Sequence, residues 1–286
     1  MFHSIKITLD EKIYEEFYNY LMDLGIHSFE EGETIINATG DVELVSERTL
    51  ITIRREELSE IESLITSIKN TFQNVKIEQF SDENNYLDEW KKFSKQIIIS
   101  DKISITPTWL TSDSKSATDI EITLDPGYAF GSGSHETTIL CAKALETIIA
   151  TSDQPTSLLD VGCGSGILSI IARKLGITTV YGIDIDPFAI DSSKENSAAN
   201  NIDDIHYSNQ QLSEIERTFD IVVANIISSV LYELKDEILK KISKNGTLIL
   251  SGILKEEIAE VAQRFNLENY QSEILGDWAS IVYRSK

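Results

Sequence analysis

The chain is poor in cysteine: Cys141 and Cys163 are its only two in 286 residues. Two thiols so placed make neither a disulfide framework nor a metal knuckle, and no metal site is expected. Cys163 lies inside a glycine turn, where a disulfide would obstruct the backbone, so a reducing cytoplasm is the expected compartment. Proline is scarce as well. The four are Pro107, Pro126, Pro155 and Pro187, and their absence from the first hundred residues points to two regions of different architecture. No apolar run reaches the roughly 20 residues of a membrane-spanning helix. The opening Met1-Phe2-His3-Ser4-Ile5-Lys6 lacks the basic region and apolar core of a secretory signal. Basic residues are outnumbered 25 to 47, for a net charge of −22. Such an excess opposes nucleic-acid binding, which rests largely on phosphate neutralisation. It suits a basic partner, or it serves only to keep the surface soluble.

What is present divides into residues 1–81, a helical connector over 82–108, and residues 109–286. In the first part, Ser4-Ile5-Lys6-Ile7-Thr8-Leu9 alternates with period two and reads as a strand. Ile13, Phe17, Leu21 and Leu24 share a helical face that Gly25 can end. Strands are predicted at 34–38 and 49–53, a helix through Ile61, Leu64, Ile65 and Ile68, and a last strand over 75–80. The order β-α-β-β-α-β is the split unit of ferredoxin-like domains, a fold that hosts many functions. Between residues 3 and 81, 7 Lys and Arg stand against 16 Asp and Glu, which favours a basic ligand over RNA. In the connector, Tyr86 to Phe93 reads as a short amphipathic helix.

Beyond it, strands near 158–161, 179–183, 219–224, 246–251 and 278–284 alternate with helices near 136–150, 166–175, 188–200, 227–242 and 255–264. That alternation predicts a mostly parallel sheet covered by helices on both faces.

The chemistry is concentrated at the strand ends. Leu158-Leu159-Asp160-Val161 runs into Gly162-Cys163-Gly164-Ser165-Gly166. Glycines let a cofactor rest against bare backbone. The spacing is G-x-G-x-G, whereas a dinucleotide turn is G-x-G-x-x-G. Asp160 directly precedes the turn and can either meet a cationic amino-acid moiety or brace the loop. S-adenosylmethionine, with an ammonium, a carboxylate and a sulfonium but no phosphate, suits this turn better than a dinucleotide. Asp184 follows Gly162 by the length of a β-α-β unit and can grip a ribose diol. Asp186, just before Pro187, is the better helix cap.

Asn225 ends the apolar strand Asp220-Ile221-Val222-Val223-Ala224. Its carbonyl can accept a hydrogen bond from an amine awaiting methylation, or it can cap the next helix. Ile226-Ile227 supplies no aromatic for a flipped base, which favours an aliphatic amine. The stretch from Leu124 to Thr138 holds a tight turn, a loop of small residues and a helix start, and reads as a lid over the cofactor. Phe130 of this loop joins the cofactor-facing set. Thr137 and Thr138 offer hydroxyls, and His135 is either a base or a structural donor.

Taken together, these stretches resemble the bacterial ribosomal protein L-eleven methyltransferase family, PrmA. The resemblance lies in Asp125 to Thr138, Asp160 to Leu168, Gly182 to Pro187, Val223 to Ile226 and Leu250 to Leu254. It spans about 86 to 286; the N-terminal part is similar in topology rather than in motif. The Asp-Pro-Gly-x-Ala-Phe-Gly loop is its most specific piece. Ser132 and Ser134 stand where threonines are usual in the family, and Glu136 where proline is usual.

The resemblance implies an α/β class I methyltransferase domain, Rossmann-like with a seven-stranded mostly parallel sheet, after an N-terminal α+β ferredoxin-like domain that recognises the substrate. It implies S-adenosylmethionine as cofactor and a basic protein of the large ribosomal subunit as substrate, methylated on lysine ε-amines and the N-terminal α-amine. Cofactor contacts carry over to Thr138, Gly162, Asp184 and Asn225; Asp160, Gly164, Gly166 and Phe130 complete the expected set, with Asn225 positioning the amine. No direct nucleic-acid readout and no membrane are expected, and the chain is expected to be a monomer. The same chemistry on another protein or small molecule is the alternative, as is a non-catalytic cofactor-binding module.

Overall fold

The computed structural model describes residues 3–24, 26, 30–31, 33–36, 42–45, 50–55, 58–72, 74–81, 96–108, 110, 118–124, 133, 135–151 and 155–285. The chain divides into two compact units, Met1–Ser94 and Lys95–Lys286.

The first unit is built from strands β1 (His3–Thr8), β2 (Glu30–Glu31), β3 (Glu33–Ile36), β4 (Val42–Val45), β5 (Leu50–Arg55) and β6 (Lys76–Ser81), with helices α1 (Tyr14–Asp23) and α2 (Leu58–Thr71). Its main sheet runs β2-β5-β1-β6 with antiparallel neighbours throughout. This is the ferredoxin-like order. The helical periodicity is realised: Phe17 and Leu21 of α1 and Ile61, Leu64 and Ile68 of α2 are buried with Ile5, Ile7, Ile51 and Ile53. One expectation needs correcting. Among the described residues, the strand expected at 34–38 appears as β3 and is not in this sheet; it pairs with β4 in a separate two-stranded sheet. The sheet position is filled instead by Glu30–Glu31, two charged residues without any apolar alternation.

The second unit opens with β7 (Ile97–Ile98), β8 (Ile103–Pro107) and β9 (Ile120–Leu124), a three-stranded sheet. Ile97–Ile98 and Ile103–Pro107 are therefore strands where a helical connector was expected. Their isoleucines favour extended backbone, and Ile103 and Ile105 are buried. The predicted helix from Tyr86 to Phe93 lies outside the described residues.

Then come α3 (Glu136–Thr151), β10 (Ser157–Val161), α4 (Ile167–Lys174), β11 (Thr179–Ile183), α5 (Pro187–Ala199), β12 (His206–Ser208), β13 (Phe219–Asn225), α6 (Ser228–Lys240), β14 (Ile242–Leu254), α7 (Ile258–Arg264), β15 (Gln271–Leu275) and β16 (Trp278–Arg284). The seven-stranded sheet has the order β12-β11-β10-β13-β14-β16-β15. Its first five strands are parallel, and β16 is antiparallel to both neighbours. Successive residues are buried on opposite faces. Leu158, Val180, Ile221, Val223 and Ile249 join one core; Leu159, Ile183, Val222, Ala224 and Leu248 join the other. Helices on both faces explain why these strands read as continuous apolar runs.

Candidate active site

Strands β10, β11 and β13 end level with one another. Val161 pairs with Ile183 on one side and with Ala224 on the other. Gly162, Asp184 and Asn225 therefore each lie one residue past a common row, with neighbouring strands about 4.8 Å apart. The row falls where the strand order reverses, β11 lying to one side of β10 and β13 to the other. Open α/β sheets form their ligand crevice at such a point.

The turn after β10 is fixed by its own backbone. Gly162 N and Cys163 N both donate to Ile183 O, at 2.8 and 3.0 Å, and Gly166 N donates to Cys163 O at 2.8 Å. Gly162, Gly164 and Gly166 have φ of +73°, +51° and +78°, a region open to glycine and costly for other residues. Space is also short. A Cβ on Gly162 would lie 2.5 Å from Ile226 Cγ2, and one on Gly166 would lie 2.6 Å from the Tyr207 hydroxyl. Asn196 Nδ2 holds the loop from behind by donating to Ser165 O at 3.0 Å.

Asp160 is 1 % exposed, and one of its oxygens accepts from Ser169 N at 3.1 Å and from Ser169 Oγ at 2.7 Å. Of its two possible roles, the bracing one is visible: the carboxyl ties β10 to α4 under the turn. Burial lifts this carboxyl to about 7, against the Ser169 hydrogen bonds. Burial also pushes the Cys141 thiol up to about 12 and raises that of Cys163. Neither is a ready nucleophile.

Asp184 stands at the end of β11 with one oxygen accepting from Gly164 N and the other from Asp186 N, both at 3.0 Å. It joins the glycine turn to the next loop. The cap of α5 is Asp186, which accepts from Phe188 N at 2.9 Å, so Asp184 is not that cap.

Asn225 does not cap α6 either. The N-cap position is Ile227, with no side-chain bond, and Asn225 Oδ1 is buried with no hydrogen-bond partner among the described residues. Thr138 Oγ1 is in the same condition, on a residue that is wholly buried. Helix α3, which carries Thr138, packs against β14, and Ser251 of β14 is the ladder partner of Asn225. Thr137 is spoken for, because its hydroxyl lies 2.8 Å from His135 Nδ1, which also accepts from Thr137 N at 3.2 Å. His135 thus serves the start of α3, with its ring 5.0 Å from that of Trp278. Phe130 and the rest of the expected lid, 125–132, lie outside the described residues.

Several supporting residues escaped sequence reasoning. Ser169 and Tyr207 carried no local signal. Gly182 did: a glycine in an apolar strand marks a close approach. A Cβ there would lie 2.6 Å from Tyr207 Cδ1. Among the described residues, no group of three or more His, Cys, Asp or Glu is placed to hold a metal ion, and no helix is long and apolar enough to cross a membrane.

Comparison with known proteins agrees with this architecture. The family model described as ribosomal protein L11 methyltransferase (PrmA) matches residues 1–286. A ribosomal protein L11 methyltransferase of Clostridium botulinum (strain Eklund 17B / Type B) is 37% identical over 244 residues, 83% of this chain and 75% of that protein. One of Clostridium perfringens (strain SM101 / Type A) is 39% identical over 209 residues, 71% of this chain and 65% of that protein. The crystal structure of the ribosomal protein L11 methylase from Lactobacillus delbrueckii subsp. bulgaricus is similar, with a TM-score of 0.61 and 31% identity, covering 68% of this chain and 100% of that one. The chain belongs to the ribosomal protein L11 methyltransferase family.

Proposed function

We propose that this chain transfers methyl groups from S-adenosylmethionine to amines of a basic protein of the large ribosomal subunit, on lysine ε-amines and the N-terminal α-amine. The observation that carries the reading is the buried carbonyl oxygen of Asn225 at the strand-order reversal, which has no hydrogen-bond partner among the described residues. A buried acceptor without a donor costs about 1–3 kcal/mol. Such an atom is explained by a donor that arrives with the substrate, and an amine N–H is one.

The residues present fit the cofactor. Asp184 would supply an acceptor for its ribose hydroxyls, the bare backbone of Gly164 a surface for its body, and Thr138 a hydroxyl for its polar groups. When bound, S-adenosylmethionine supplies an electrophilic methyl group on a sulfonium. The chain orients the amine through Asn225 Oδ1 and excludes water from it. A free lysine amine has a pKa near 10.4 and must lose its proton to react. Burial in the crevice favours the neutral form. Orientation and desolvation therefore do more here than a dedicated base, since His135 Nδ1 is committed to the start of α3. The acidic N-terminal unit offers the surface for a basic protein.

The test is transfer of tritium from methyl-labelled S-adenosylmethionine to ribosomal proteins taken from a strain lacking this gene. A single labelled protein of the large subunit is the expected outcome. Label on RNA or on another protein would overturn the substrate. Cofactor binding without transfer to any acceptor would overturn the catalytic reading.

A further inference from the structure

We propose that Ile226 is a positioning residue that sets the spacing between the glycine turn and the Asn225 amide; this rests on the methyl-transfer reading above. Ile226 follows Asn225 at the end of β13 and stays tied to β14, its N–H donating to Ser251 O at 3.2 Å. It is wedged between two glycines. On one side its Cγ2 faces Gly162, so close that a Cβ there would lie 2.5 Å away. On the other, its peptide lies against Gly252, where a Cβ would fall 2.5 Å from Ile226 O, 2.6 Å from its carbonyl carbon and 2.9 Å from its N. Both glycines hold left-handed backbone, with φ of +73° and +78°. Two separate segments of the chain, β14 and the cofactor turn, are thus cut back to admit the same residue.

Gly162 belongs to the donor side of the reaction and Asn225 to the acceptor side. Their strands are already paired through Val161 and Ala224, and Ile226 adds a hard side-chain contact between the turn and the end of β13. Interiors at this packing density carry little slack, so a shift of the turn is passed to the peptide that holds Asn225. A β-branched side chain suits this task. Its γ carbons sit directly on Cβ and turn about one stiff torsion. Leucine has the same number of atoms but a single γ carbon, with its methyls one bond further out. Valine keeps both γ carbons and loses only the terminal methyl. A residue that merely fills volume tolerates leucine at least as well as valine. A spacer tolerates valine better.

The experiment compares Ile226→Val, Ile226→Leu and Ile226→Ala in the full chain. S-adenosylhomocysteine binding is followed by calorimetry, methyl transfer by kcat and KM, and amide hydrogen exchange across 223–227 with and without S-adenosylhomocysteine. Ile226→Val should stay within about threefold of the parent in kcat. Ile226→Leu and Ile226→Ala should lose about 10- to 100-fold in kcat, the penalty of misplacing reacting groups by roughly 1 Å, with S-adenosylhomocysteine affinity nearly unchanged. Bound S-adenosylhomocysteine should slow exchange at the Ile226 amide in the parent and in Ile226→Val only. Equal turnover in the valine and leucine variants, or the same slowing in all four proteins, would overturn the proposal. Should the parent transfer no methyl group at all, the functional reading fails, while the exchange data still decide whether Ile226 couples the two segments.

Discussion

Ser169 gives both its backbone N–H and its hydroxyl to a single oxygen of Asp160, at 3.1 and 2.7 Å. The pair holds a carboxyl under the glycine turn that burial lifts from 3.8 to about 7. Because the folded value lies above the unfolded one, the folded chain keeps a proton in this range that the unfolded chain has lost. Stability from this group falls as pH rises from about 4 to 7 and is level above. Asp160→Asn removes the titration and keeps an oxygen for Ser169. The melting temperature of the parent minus that of Asp160→Asn should therefore become more negative from pH 4 to 7. A flat difference in parallel thermal melts would mean that the Asp160 carboxyl does not titrate there.

What the sequence made legible follows from locality. Glycines at φ > 0 and an acid at the next strand end are demands of one β-α-β unit, so Gly162, Gly164, Gly166 and Asp184 could be read from the single stretch Ser157 to Asp184. Asn225 could be placed at its strand end for the same reason, but its cap role could not be settled until Ile227 took the N-cap position. The rest depends on distant partners. Nothing in the spacing of Ser169 announces Asp160, and nothing near Tyr207 announces Gly166. β2 is two glutamates, and β15 is exposed along nearly its whole length, so neither carries an apolar period. The three-stranded sheet pairs β8 in parallel with β9, which begins thirteen positions after β8 ends, a contact that no local pattern encodes.

Among the described residues, Asn225 and Thr138 each keep a buried oxygen without a partner, a cost that the proposed binding role would explain. Thr138→Val is nearly isosteric and removes the orphan hydroxyl. It should hold or raise the melting temperature while weakening S-adenosylhomocysteine binding about 3- to 30-fold, a loss of roughly one hydrogen bond. Asn225→Ala should likewise leave stability close to the parent and lower kcat by about 100-fold or more. Calorimetry and melts on the same samples decide the matter: activity lost in proportion to stability would make both residues structural.

Asp184 and Asp186 are two residues apart and do different work. Asp184 accepts from Gly164 N and Asp186 N, whereas Asp186 accepts from Phe188 N as the cap of α5. Asp184→Asn turns an amide N–H₂ toward one of two backbone donors and removes the charge. We expect S-adenosylhomocysteine affinity to fall about 10- to 100-fold, as for loss of a charge-assisted hydrogen bond. Asp186→Ala should cost about 1 kcal/mol of stability through the lost cap and leave that affinity nearly unchanged. Equal binding losses in the two variants would show that Asp184 acts only through the loop.

Gly166 and Gly182 face the same tyrosine, and the reason for each glycine differs. At Gly182 a Cβ would meet Tyr207 Cδ1 and Cε1 at 2.6 and 2.7 Å, with Cys163 Cβ next at 3.2 Å. The backbone there is ordinary strand, so the obstacle to alanine is chiefly the ring. At Gly166 the Tyr207 hydroxyl is 2.6 Å away, but Ser193 Cβ is at 2.8 Å and φ is +78°. Gly182→Ala should cost about 1–3 kcal/mol by overpacking. Truncating the ring with Tyr207→Ala should recover much of that loss, so that the double variant is more stable than the sum of the single changes allows. Gly166→Ala should gain no comparable relief from the same truncation, because the helix behind it and its own left-handed backbone remain. Denaturant melts of the two double-mutant cycles measure this directly. Coupling energies of equal size at both glycines would contradict the assignment of ring contact to one and backbone to the other.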